Sequence, residues 1–133
     1  MTTSLEKSHT FGPTTPVTRD ITIGDLLKEA AKDCPDQLAI ITGVNEIEKR
    51  RHWTYAELYD QAQVAAHAIL ENFEPGERIS VWAPNIPEWV ILEFASALAG
   101  TILVTVNPSY QPNELAYVLK QSKSAGIFLL TEY

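Results

Sequence analysis

Cysteine is almost absent from this sequence of 133 residues: Cys34 stands alone, so no internal disulfide forms. No second thiol or clustered histidine sits at metal-ligand spacing, and a reducing compartment, the cytoplasm, is the expected setting. Positive charge is scarce as well. Ten basic residues against seventeen acidic ones give a net charge of -7, which repels phosphate backbones and anionic lipid heads, so nucleic acid is not an expected partner. The six glycines fall into neither G-x-G-x-x-G nor G-x-x-x-x-G-K-[ST] spacing, and no serine occupies a G-x-S-x-G elbow. Phosphate-loop and α/β-hydrolase chemistry are both without a carrier. His9, His52 and His67 are scattered along the chain and read as surface or satisfied histidines, and Cys34 reads as a small semi-buried residue at a helix end rather than a nucleophile. No residue is assigned a catalytic, cofactor-binding or metal role.

Long apolar runs are also few. Trp89 to Val106 approaches bilayer-spanning length with Glu93 as its sole charge. A central carboxylate costs about 2.5–3.5 kcal/mol on insertion scales, no Lys or Arg flanks the run closely, and its pattern changes at Gly100. A buried helix followed by a buried strand is expected there, and no transmembrane segment.

What is present describes a domain. Hydrophobic residues make up 45% of the chain, enough for a core. Residues 1–20 are rich in Thr, Ser and Pro, lack a secretory apolar stretch and read as a flexible arm. Residues 21–133 hold the folded part. Ile21 to Asp33 places Ile23, Leu26, Leu27, Ala30 and Ala31 on one side of a helix that Pro35 stops. Leu38 to Ile41 and a second strand reaching Trp53 predict an antiparallel hairpin, with the charge run Glu48-Lys49-Arg50-Arg51 on its solvated edge. Thr54 and Glu57 form a capping-box pattern, with Trp53 and Leu58 placed as a hydrophobic staple and Leu58, Ala62, Ala65 and Ile69 along one apolar face.

Beyond Glu74-Pro75-Gly76-Glu77 the chain alternates: strand Ile79 to Trp82, helix Pro87 to Ala99, strand Ile102 to Val106, helix Pro112 to Ser122, strand Ile127 to Leu130. Helices between near-continuous apolar strands predict right-handed crossovers and a parallel sheet. The fold class is therefore α/β: an antiparallel hairpin followed by βαβαβ units forming part of a mostly parallel sheet. Its last strand needs cover on both faces and the sequence stops at Tyr133, so an incomplete piece of a larger α/β unit is expected. Ala83-Pro84-Asn85-Ile86-Pro87 and Asn107-Pro108-Ser109-Tyr110 follow the carboxyl ends of predicted parallel strands, where open α/β sheets place ligands, and are candidate pocket lining. Asn and Pro are also ordinary cap and turn residues.

The segments Trp53-Thr54-Tyr55-Ala56-Glu57-Leu58 and Leu98 to Pro108 resemble the first two core motifs of the AMP-forming acyl-CoA synthetases, within the adenylate-forming superfamily. Trp53 stands where that family usually has Leu, and Ala97-Leu98-Ala99-Gly100 lacks its basic residue. Asn107-Pro108-Ser109-Tyr110 with Glu114-Leu115 and Tyr117-Val118-Leu119, and Pro84-Asn85 ahead of Glu88-Trp89, are especially similar to fatty-acyl-CoA ligases. The resemblance makes residues 21–133 the amino-terminal portion of an AMP-binding synthetase/ligase domain, an incomplete piece of the large amino-terminal domain of those enzymes. It implies ATP, Mg2+ and CoA as cofactors of the intact enzyme and a fatty or other carboxylic acid as substrate. The carboxylate attacks the α-phosphate of ATP, and CoA then displaces AMP from the acyl-adenylate. The family's phosphate loop and the lysine of its carboxyl-terminal domain have no counterpart in this sequence, so the chain alone is expected to be inactive, with the remainder of a ligase domain as its partner. The alternative is a non-enzymatic binding or regulatory module derived from such a ligase.

Overall fold

The computed structural model describes residues 12, 13, 15 and 18–130. Apart from a few positions, the arm expected over residues 1–20 lies outside the described residues. Helix α1 spans Ile23–Asp33, two residues later than the apolar pattern begins, because the Thr22 hydroxyl accepts the Asp25 backbone N–H at 3.0 Å and caps the helix there. Leu27 is buried, and Gly24 lets α1 approach closely: a Cβ at that position would stand 3.0 Å from the Leu98 side chain.

Strands β1 (Leu38–Ile41) and β2 (His52–Thr54) pair antiparallel, with Ile41 opposite His52 and Ile40 opposite Trp53. The connection differs from a plain hairpin. Ile47–Lys49 form a 3-10 turn whose N–H groups at Lys49 and Arg50 are satisfied by the carbonyls of Glu46 and Ile47, leaving only three residues for β2. Glu48 and Lys49 therefore sit in a turn rather than along a strand edge.

Helix α2 (Tyr55–Leu70) starts at the expected box: Glu57 N–H donates to the Thr54 hydroxyl at 3.2 Å, and Thr54 N–H donates to the Glu57 carboxylate at 2.8 Å. Trp53 and Leu58 pack in one cluster with Leu27 and Ala62, as a staple requires. The buried stripe runs Leu58, Ala62, Ala66, Ile69. Ala66, not Ala65, completes it, because steps of four, four and three stay on one face of a 3.6-residue helix; Ala65 is half-buried at its margin.

Strand β3 (Arg78–Trp82), helix α3 (Pro87–Ala99), strand β4 (Ile102–Val106), helix α4 (Pro112–Ser122) and strand β5 (Gly126–Leu129) complete the described fold. The last strand begins and ends one residue earlier than its apolar run. Pro87 and Pro112 occupy first turns, and Gly100 takes the left-handed cap conformation at φ 72°. The three strands form a parallel sheet in the order β4-β3-β5, with Val81 opposite both Thr105 and Phe128.

As the central strand, β3 is buried on both faces. Ile79 packs with Ala66, Ile69, Ala95 and Ala99 beneath α2 and α3. A fully buried side chain of this size contributes roughly 1.5–3 kcal/mol. Ser80, fully buried and next along the strand, points the other way. Its hydroxyl lies 2.7 Å from that of Ser124, which lies 2.7 Å from that of Ser122, so the polar atom on this face is satisfied. Among the described residues no helix is long and apolar enough to cross a membrane; the apolar run is divided between α3 and β4.

Candidate functional site

Strand order decides where this sheet can hold a ligand. The chain leaves β3 through α3 to reach β4 on one side, then passes through α4 to β5 on the other side of β3. Right-handed crossovers running in opposite directions put α3 and α4 on opposite faces, so the loops leaving β3 and β4 diverge and open a crevice between the carboxyl ends of these adjacent strands. The two candidate loops named from the sequence, Ala83 to Pro87 and Asn107 to Tyr110, are the two that flank it.

The crevice is braced across its floor. Trp82 Nε1–H donates to the Asn107 carbonyl at 3.1 Å, joining the end of β3 to the loop after β4. The same carbonyl accepts the Tyr110 N–H at 3.0 Å, and the Asn107 Oδ1 accepts the Ser109 N–H at 2.9 Å. Asn107 therefore shapes its own turn, while the exposed Asn85 side chain makes no hydrogen bond among the described residues. At the far side of the loop Gln111 N–H donates to Glu114 at 2.8 Å and starts α4.

Beside the first loop lies an open apolar cleft of about 310 Å³, lined by Val81, Ala83, Trp89, Leu92, Phe128 and Leu129. Glu88 stands at its edge and pairs with Arg51. Arg51, which the sequence placed in a solvated charge run, also lies over the Trp53 ring, 4.7 Å from its centroid. The Arg51 guanidinium holds the Glu88 carboxyl below the usual carboxylate range, and Thr54 does the same for Glu57 through its backbone and hydroxyl bonds.

His52 and His67 are exposed and lie on β2 and α2; His9 lies outside the described residues. Cys34 is half-buried and its thiol donates to the Ala30 carbonyl at 3.1 Å. Neither the Trp82–Asn107 bond nor the Arg51–Glu88 pair carries a sequence signal, since each joins residues far apart in the chain.

The sequence profile of the AMP-binding enzyme family matches residues 27–132. The chain belongs to this AMP-binding family. Among curated proteins it is 32% identical over 131 residues to the mitochondrial medium-chain acyl-CoA ligase ACSF2 of Danio rerio, a match covering 98% of this chain and 21% of that one. It is 36% identical over 113 residues to YngI of Bacillus subtilis, covering 84% of this chain and 20% of YngI. Among solved structures, the N-terminal subdomain of Klebsiella oxytoca NpsA superposes with a TM-score of 0.73 at 23% identity over 81% of this chain and 27% of that one, a likeness of fold. The chain spans about a fifth of the length of the curated relatives it matches.

As the amino-terminal part of an AMP-binding fold, the crevice can be tested against the group the family is named for. The loops at 83–87 and 107–111 contain no Lys or Arg, and among the described residues no group of three His, Cys, Asp or Glu is placed to hold a metal ion. A magnesium-bound triphosphate needs both cationic donors and carboxylates. This donor set by itself does not fit one.

Proposed function

We propose that this chain supplies the amino-terminal framework of an ATP-dependent, AMP-forming acyl-CoA ligase. In the intact enzyme a fatty or other carboxylic acid attacks the α-phosphate of ATP with Mg2+ bound, pyrophosphate leaves, and the thiol of CoA displaces AMP from the acyl-adenylate. The observation that carries this reading is the family match across residues 27–132, which spans both predicted core motifs and both crevice loops. The name of the Danio rerio relative supports acyl-CoA formation and a medium acyl chain.

Within that enzyme the residues described here build and orient. The Thr54–Glu57 box sets where α2 begins, the Gly100 cap turns α3 into β4, and Trp82 holds the Asn107 loop across the floor of the crevice. Charge developing on phosphate oxygens is stabilised by groups outside these 133 residues, supplied by the remainder of the ligase domain. Losing one such donor costs about 10²–10³ in rate, so the chain alone is inactive. A single half-buried thiol fits a reducing compartment, which we take to be the cytoplasm, although the Danio rerio relative is named mitochondrial.

The purified chain, given ATP, pyrophosphate and a medium-chain acid, is expected to show no ATP/pyrophosphate exchange above background; measurable exchange overturns its inactivity. A chimaera in which residues 20–133 replace the matching fifth of Danio rerio ACSF2 is expected to form medium-chain acyl-CoA. A chimaera that folds and binds ATP but forms none overturns the ligase reading.

A further inference from the structure

The loop leaving β3 is weakly tied at its far end. Helix α3 begins at Pro87 with Ile86 as its N-cap, and Ile86 provides no side-chain hydrogen bond to the first turn. Among the described residues the Asn85 side chain makes none either, and the local bond here is Trp89 N–H to the Ile86 carbonyl at 3.1 Å. Between this segment and the small β1–β2 sheet runs an open groove of about 590 Å³, bordered by Ile41 and Val44 on one side and by Asn85, Ile86 and Trp89 on the other. Among the described residues no backbone hydrogen bond crosses that groove.

One side chain spans the two sides. Arg51, next to β2, pairs with Glu88 in the first turn of α3, a partner distant in sequence. An exposed ion pair usually contributes little because two long side chains must be frozen to make it. Here the freezing is largely done beforehand. The guanidinium lies on the face of Trp53, which is only 7% exposed and whose indole N–H donates to Gln61 of α2 at 3.1 Å. A planar cation already seated on a fixed ring loses less freedom when it meets a carboxylate. Glu88 also sits where the positive end of the helix dipole favours an anion, so its carboxylate is held from two sides.

We propose that Arg51 is a positioning residue for the β3–α3 loop, acting through Glu88 as a clasp that fixes the start of α3 against the small sheet. Through that start it sets the loop at Ala83 to Ile86, which forms one wall of the crevice. The clasp concerns where the loop stands and is independent of whether a ligand enters.

Hydrogen exchange on the full chain tests it. In Arg51→Met, which keeps the aliphatic cover on Trp53, and in Glu88→Gln, amides of Trp89 to Ile91 should exchange about two- to five-fold faster than in the parent, with α2 amides unchanged. The double variant should match either single one, since both remove the same clasp. Arg50→Met, one residue away, serves as the control and should leave these amides as they were. Unchanged exchange in the single variants, additive effects in the double variant, or an equal rise throughout the chain overturns the clasp.

Discussion

Thr54 and Glu57 exchange hydrogen bonds across the first turn of α2, each side chain accepting from the other's backbone N–H. This reciprocal pair sits between Trp53 below and Leu58 above, so one turn both satisfies orphan donors and fixes the angle at which β2 enters the helix.

Thr54→Ala removes one half of that exchange and leaves the Glu57 N–H without its acceptor. The expected loss is about 1 kcal/mol, read as a lower urea midpoint with an unchanged slope. A slope that falls with the midpoint would mean that β2 detaches as well.

Stability should fall on acidification, and the sign follows from two carboxylates. Glu57 and Glu88 both have folded-state pKa values below their ordinary 4.5. The unfolded chain therefore binds their protons first, and the stabilisation is complete above about pH 4.5, lost as pH falls through the lowered values. Urea midpoints taken from pH 6 down to pH 3 should drop less in Glu57→Gln and Glu88→Gln than in the parent. Parallel curves for all three proteins would assign the acid sensitivity elsewhere.

Gly126 admits no side chain without movement. A Cβ there would meet the Phe73 ring at 2.5 Å, so Gly126→Ala should push Phe73 outward and cost about 1–3 kcal/mol in urea unfolding. Pairing it with Phe73→Leu should recover part of that loss, and an additive double variant would show that the ring is not the obstacle.

Ile69 is 2% exposed and touches both α3 and the central strand through its cluster. Ile69→Ala should cost about 2–5 kcal/mol by chemical denaturation. A smaller loss would indicate that α2 and α3 close over the cavity.

Much of the fold was legible because its boundaries are marked locally. Pro87, Pro112 and Gly100 place three helix ends where the structure has them, since each acts on its own backbone. The hairpin was less legible. Ile47–Lys49 coil into a turn whose N–H groups reach carbonyls three residues back, a choice that a run of charges does not announce. Alternation identified the strands, but their order did not follow from it: two crossovers of similar length fit several arrangements, and only pairing places β3 in the middle. Of the site, the loops could be named from position alone. Their braces could not, because Trp82–Asn107 and Arg51–Glu88 join residues that meet only after the sheet has formed.

The middle strand of the sheet is also the first of its three to be synthesised. Each later strand is added to an edge that already exists, and neither has to be threaded between partners. Arg78 to Trp82 follow α2 in the chain, so synthesis order allows α2 to cover one face of β3 before β4 and then β5 are added. With that order, the parallel pairing, ordinarily slow to find, needs only two successive short searches.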